Sequence, residues 1–242
     1  MRIVAGVAAA CMAAVSIMCG LDGAFAESDA DGAHVDRFLL FSGFDLWRNG
    51  GFVHGGMLWS PDGLSQDGFT LKLLVGGGQY RYLSGSNEIT GSQVLGAAMP
   101  GWRFKSDRLE VVAFAGVDVQ SHWLKPDDPG NRLRGTHVGA RGGADLWYQP
   151  TDAMMLAGSV SASTVGTSFW TRGAAGWRVF DRFWAGPELG ALGDTSYQQL
   201  RVGVHATGFK TGSLEWSAGA GYAHDSDRRG GAYGRVWLLT RQ

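Results

Sequence analysis

A carboxylate at Asp118, a hydroxyl at Ser121 and imidazoles at His122 and His137 lie within one short stretch of the chain. An acid, a histidine and a hydroxyl held together can activate the hydroxyl for hydrolysis or acyl transfer. Two features count against that chemistry. No Gly-x-Ser-x-Gly nucleophile motif occurs, and in a segment of period two Ser121 points away from the face that His122 occupies. The chain is therefore expected not to be an enzyme. Its histidines and acids lack the close spacing that holds a metal ion, so no metal is expected and no cofactor. Gly76-Gly77-Gly78 lies inside a strand pattern with no helix after it, which reads as a bend or a close strand approach and not as a phosphate loop.

The elements that must position these side chains read as β-strands. From Leu109 to Trp123, one face collects Leu109, Val111, Ala113, Ala115, Val117 and Val119, and the other collects Glu110, Gly116, Asp118, Gln120 and His122. A period of two fits a strand and excludes a helix. The pattern recurs where Leu200, Val202, Val204 and Ala206 oppose Gln199, Arg201, His205 and Thr207, and where Val138, Ala140 and Leu146 oppose His137, Arg141 and Asp145. Strands are predicted over residues 37–47, 52–60, 69–82, 93–104, 109–122, 136–148, 153–163, 168–179, 183–191, 198–209, 214–224 and 232–241. An even count of about twelve is what a single-chain bacterial barrel requires. Tight turns at 105–108, 149–152, 180–182 and 210–213 alternate with longer connections at 83–92, 123–135 and 225–231, as short periplasmic turns alternate with longer outer loops. The first hairpin departs from that rule, with a compact outer turn at 48–51 and a longer inner connection at 60–68.

Residues 1–26 read as a secretory signal peptide, with basic Arg2, an apolar stretch from Ile3 to Met18 and the small-residue exit Ala24-Phe25-Ala26. Both cysteines, Cys11 and Cys19, fall inside it, so disulfides and thiolate chemistry are excluded from the remainder. Residues 27–36 are predicted to form a short periplasmic lead and residues 37–242 a β-barrel domain. That remainder has no apolar run long enough for a helical membrane span. The net charge of −1 is spread over interspersed acids and bases, so no basic stripe announces a nucleic-acid partner. A soluble β-fold also alternates, with its apolar face turned inward. Aromatics near strand ends favour the membrane: Trp102, Phe104, Trp147, Tyr148, Trp177, Phe180, Phe183 and Trp184 lie beside the short turns, as in headgroup-level girdles. The fold predicted is all-β, an antiparallel outer-membrane β-barrel of about 12 strands, with outer-membrane lipid as its surroundings.

With apolar faces outward, the lumen receives Asp45, His54, Lys72, Arg103, Glu110, Asp118, His122, His137, Arg141, Asp145, Arg172, Arg178, Glu188, Arg201, His205 and Glu215. Such a set can line a polar passage or groove, or its charges can pair across strands and plug the interior. The plugged arrangement is the favoured expectation, because barrels of modest strand number can be filled by side chains.

The stretch from Phe41 to Pro61, FSGFDLWRNGGFVHGGMLWSP, and the following Gly68 to Tyr82, GFTLKLLVGGGQYRY, resemble the BcsS-type cellulose biosynthesis proteins of Gram-negative bacteria. The resemblance is most specific over the first three strands and extends through most of the barrel region in length and in its rhythm of glycine and aromatic residues. It implies a link to bacterial cellulose production and a non-catalytic role in export or anchoring of cellulose, with cellulose or components of its synthase as partners. It carries no site residues with it. The chain ends Val236 to Gln242 without a terminal aromatic, a departure from outer-membrane barrels in general.

Aromatic rings can stack on the apolar faces of pyranose rings, so inward-facing Trp47, Trp147, Trp170 and Trp184 are candidates for sugar stacking. Their positions near strand ends fit an interfacial girdle better. Trp59 and Trp216 fall on the lipid side. The connection 123–135, with Lys125, Asp127, Asp128, Arg132 and Arg134, is the longest outer loop and the natural place for polymer contact, although solvated charged loops are commonplace. A general small-solute porin and a soluble periplasmic β-domain associated with cellulose synthesis are the alternatives.

Overall fold

A computed structural model describes residues 35–242; the expected signal peptide and the lead as far as residue 34 lie outside the described residues. Twelve strands follow one another: β1 (Phe38–Trp47), β2 (Gly50–Trp59), β3 (Gly68–Ser84), β4 (Asn87–Ser106), β5 (Leu109–Lys125), β6 (Gly135–Thr151), β7 (Met154–Ser163), β8 (Phe169–Val179), β9 (Phe183–Gly193), β10 (Gln198–Thr211), β11 (Leu214–Asp225) and β12 (Gly230–Arg241). Each pairs antiparallel with its neighbours in sequence. β1 closes on β12 from Leu39 opposite Arg241 to Trp47 opposite Tyr233, so the sheet has no free edge.

The apolar residues of the alternating pattern stand outside. Val117, Val138, Val160, Leu189, Leu200, Val202 and Val204 are all more than half exposed or nearly so, with Val138 at 72%. A band of this extent has no favourable solvent but lipid. The soluble arrangement, with that face turned inward, is not adopted. What lies inside is mostly polar, and the buried apolar cluster is small: Met99, Val112 and Phe114, with Leu74 and Ala97 against it.

At the end where the described residues begin and finish, the turns are tight, as at Asp107-Arg108 and Gly212-Ser213, and exposed Trp102, Phe104, Trp177 and Phe180 ring the outer surface. The exception is the eight-residue connection between β2 and β3. It tucks beneath the barrel, with Leu64 buried, its amide donating to Asp36 O and its carbonyl accepting from Arg103 Nη1 at 2.9 Å.

One connection differs from expectation. Residues 83–92 do not form a loop, because β3 and β4 continue pairing out to Ser84 opposite Asn87 and turn at Gly85-Ser86. The run Ser84 to Glu88 is polar and reads as loop. Yet Tyr82 and Ile89 bury inward on either side of it, and Gly85 at φ +61° supplies the left-handed residue a two-residue turn requires. The strands thus rise beyond the apolar band as a hairpin standing over the mouth.

Candidate functional site

The alternation that turns apolar residues out turns the charged ones into one lumen, where some meet across adjacent strands and others across strands that are not neighbours. In its middle, Lys72 of β3 reaches Asp145 of β6 at 2.7 Å, with its ammonium 4.1 Å from the centre of the Phe114 ring. Arg201 of β10 reaches Asp45 of β1 at 3.0 Å and donates from Nε to Gln199 at 2.7 Å. Glu188 of β9 gathers Arg172 at 3.0 Å, Arg235 of β12 at 2.5 Å and the hydroxyl of Tyr233 at 2.8 Å. Both Glu188 and Arg235 are 3% exposed. Carboxylates taken from water to this extent are tolerable only when paired and hydrogen-bonded, and these are.

Nearer the termini, Arg103 pairs with Glu110 on the adjacent strand, Glu215 with Arg241 at 3.1 Å, and Arg178 lies exposed over the Trp184 ring at 4.7 Å. Towards the opposite, loop-bearing end, Asp118 accepts from Arg141 at 3.0 Å, from Gln120 at 2.7 Å and from Ser163. His122 does not touch Asp118. Its Nδ1 faces the Tyr80 hydroxyl at 3.1 Å and its Nε2 faces Gln120 Oε1 at 3.3 Å, so both ring nitrogens are occupied. His137 turns instead to the Arg134 carbonyl at 3.2 Å, and Ser121 lies on the outer face against Thr136 at 2.8 Å. These four groups assemble no nucleophile and base. Among the described residues no group of three or more histidines, cysteines or acids is placed to hold a metal ion.

The four inward tryptophans fall into two groups at opposite ends. Trp47, at the loop end of β1, has its ring 5.2 Å from the Arg201 guanidinium, and Trp170, at the loop end of β8, lies 5.8 Å from Trp237. Trp147 and Trp184 meet edge to face at 6.5 Å near the termini. No row of rings connects the two. Trp59 packs on outward Phe69, and Trp216 is exposed.

Residues absent from the sequence-based set complete the network. Arg235, Tyr233 and Trp237 of β12 stand at its centre, with Arg235 4.6 Å from the Trp237 ring. Period two in Tyr233, Arg235 and Trp237 against Gly234, Val236 and Leu238 carries the signal. Gln120 and Gln199 stand on polar faces that period two already marks, and the structure supplies their partners, Asp118 and Arg201, as it does for Ser163 with Asp118.

At the loop end, the loop between β5 and β6, the short 3-10 turn Val165–Thr167 and the β9–β10 turn border a cleft of about 540 Å³ that reaches outward Val138. Asn131, Arg132, His137, Thr164, Thr195 and Ser196 line it, above Leu133 and Val165. Beside it, Asp194 accepts from the Ser196 and Tyr197 amides at 2.7 and 3.0 Å. Burial nonetheless holds the Asp194 carboxyl above its ordinary value, and burial likewise lifts the Tyr197 phenol to about 12. At the other side of the mouth, Arg229 of the β11–β12 loop binds Asp227 at 2.8 Å and the Arg81 carbonyl of β3 at 3.0 Å. That loop and the β3–β4 hairpin therefore meet over the short β1–β2 turn.

A family model described as cellulose biosynthesis protein BcsS matches residues 39–242. No curated protein matches the chain. Among solved structures, an outer membrane channel from Pseudomonas putida F1 is similar with a TM-score of 0.56 at 12% identity, covering 89% of this chain and 100% of that one. A TodX monoaromatic hydrocarbon channel mutant is similar with a TM-score of 0.52 at 8% identity, covering 85% and 89%. At these identities the likeness is one of fold.

Proposed function

The chain belongs to the BcsS family of cellulose biosynthesis proteins, and from that premise we propose that it is a non-catalytic outer-membrane barrel that anchors or organises cellulose production. Its partners are outer-membrane lipid around the apolar band and, at the loop end, cellulose or components of the synthase. The observation that carries this reading is the set of cross-lumen pairs, Lys72 with Asp145, Arg201 with Asp45, and Arg235 with Glu188. Each joins strands three apart around the barrel. Side chains engaged with one another across the interior leave a glucan no continuous polar track, and the tryptophans that would stack sugars sit in two separate groups. The work is then assigned to the loop end, where the cleft of about 540 Å³ offers hydroxyl, amide and guanidinium groups to sugar hydroxyls.

The test pairs two measurements. Purified barrel in planar bilayers is expected to show no steady open pore, and a deletion strain is expected to lose surface cellulose and to regain it with the intact gene. The protein should fractionate with outer membranes and migrate faster on gels before boiling than after. A steady conductance in the wild-type barrel would replace the anchoring role with passage. Recovery in the soluble periplasm would remove the membrane assignment altogether.

A further inference from the structure

The middle of the lumen contains a site that the anchoring role does not use. Gly190 of β9 stands opposite Arg172 of β8 on one side and Arg201 of β10 on the other. A void of about 20 Å³ lies beside Gly190, where no side chain fills the wall, and Arg172, Arg201, Asp45, Glu188 and Arg235 border it. Three cations and two carboxylates border it, so the immediate surroundings carry one uncompensated positive charge. Arg201 is 6% exposed, and the side chain of Arg172 is 10% exposed. Each has one buried nitrogen, Nη2, with no protein partner, while Nε and Nη1 of Arg201 bind Gln199 and Asp45 and Nε of Arg172 binds Glu188. The indole Nε1 groups of Trp47 and Trp237, whose rings lie against these arginines, are buried and unpartnered as well.

Buried guanidinium nitrogens cost free energy unless something accepts their protons. Everything unsatisfied in this group is a donor, and the net charge is positive, so the missing partner is an acceptor with negative charge. The size of the void chooses among anions. A water needs roughly 10–15 Å³ by such a measure, so about 20 Å³ suits one monatomic ion better than phosphate, sulfate or a carboxylate. We infer that the lumen binds a single halide, chloride under natural conditions, at Gly190 between Arg172 and Arg201. The ion completes the charge balance of the cross-lumen network and stands independently of any role in cellulose production.

Bromide is the probe. Crystals of the purified barrel grown in bromide are expected to show an anomalous peak between the Arg172 and Arg201 guanidinium groups. In solution, the temperature at which the folded gel band is lost should be several degrees higher in bromide or chloride than in gluconate of equal ionic strength. Gly190→Ala fills the void and leaves every charge in place. Its added methyl would meet the Thr171 carbonyl oxygen at 3.3 Å and the Arg201 Cβ at 3.8 Å, a fit that needs only a small adjustment. This variant should lose both the peak and the halide dependence. A wild-type barrel without an anomalous peak at the site, with water there alone, overturns the inference. So does halide dependence that survives in Gly190→Ala. Should that variant fail to fold, the wild-type diffraction measurement decides by itself.

Discussion

Glu188 shows what a lumen carboxylate does here. It ties β9 to Arg172 on the adjacent strand and to Arg235 and Tyr233 on β12, and it is almost wholly buried. Glu188→Gln keeps the shape and removes the charge, leaving two buried guanidinium groups facing an amide. Breaking a buried pair from one side costs about 3–5 kcal/mol, so the midpoint of urea unfolding in lipid vesicles should fall by a corresponding amount. Arg241→Gln, which removes an exposed arginine paired with half-buried Glu215 at the rim, should lower the unfolding free energy by no more than about 1 kcal/mol. A second residue acts through pH. Asp194 in the β9–β10 turn has its carboxyl raised by burial despite two amide donors. A raised folded value means that the folded state holds the proton more tightly than the unfolded one. The stabilisation is therefore complete below the ordinary aspartate value and disappears as pH rises through the raised one. Asp194→Asn retains an oxygen for both amides and should flatten this part of the stability profile, which urea titrations across the acidic range would record.

At the scale of elements, alternation places strands and close packing places glycines. The glycine run at Gly78 of β3 predicts a bend or a close approach, and the structure makes it the latter: a side chain there would run into the Gly51 carbonyl and the Phe52 backbone of β2. Gly78→Ala must push two paired strands apart, at a cost of about 1–3 kcal/mol by the measure of overpacked interiors. The expected result is a lower temperature for loss of the folded gel band, whereas Gly85→Asn in the exposed β3–β4 turn should leave it unchanged, since a side chain there meets nothing and asparagine tolerates a left-handed φ. The strands themselves were legible because most carry apolar residues at every second position, as β5 and β10 do, while β2 and β8 interrupt the pattern with glycine or threonine. The β3–β4 hairpin above the band was not legible, because beyond the lipid the outward face no longer has to be apolar, and Ser84 to Glu88 then look like any polar loop.

For the whole molecule, closure makes the interior a shared resource. Pairs three strands apart, such as Arg201 with Asp45, exist only because β1 meets β12 and the wall curves round. If those pairs obstruct the lumen, their joint removal should open it. Arg201→Ala with Asp45→Ala is predicted to give measurable steps of ionic conductance in planar bilayers where the wild type gives none, while the heat-dependent gel shift persists. The second alanine keeps either charge from being stranded.

The amino-acid sequence alone determined the strand count and the antiparallel order, because both follow from residue periodicity and turn length and need no distant partner, and its resemblance over 41–61 and 68–82 pointed to the family; periodicity left the outward direction of the apolar face open, and the closed barrel decided it. The sequence also placed Asp118, Lys72, Glu188 and Arg201 on the polar face. Which charge would answer which was decided only by the tertiary structure. A period of two names the face of a strand but not the residue across the lumen, and that depends on the stagger of twelve strands around a closed wall. The same reason separates Trp47 and Trp170 from Trp147 and Trp184, gives His122 to Tyr80 instead of Asp118, and brings Arg172 and Arg201 to either side of a glycine whose missing side chain makes room for an ion.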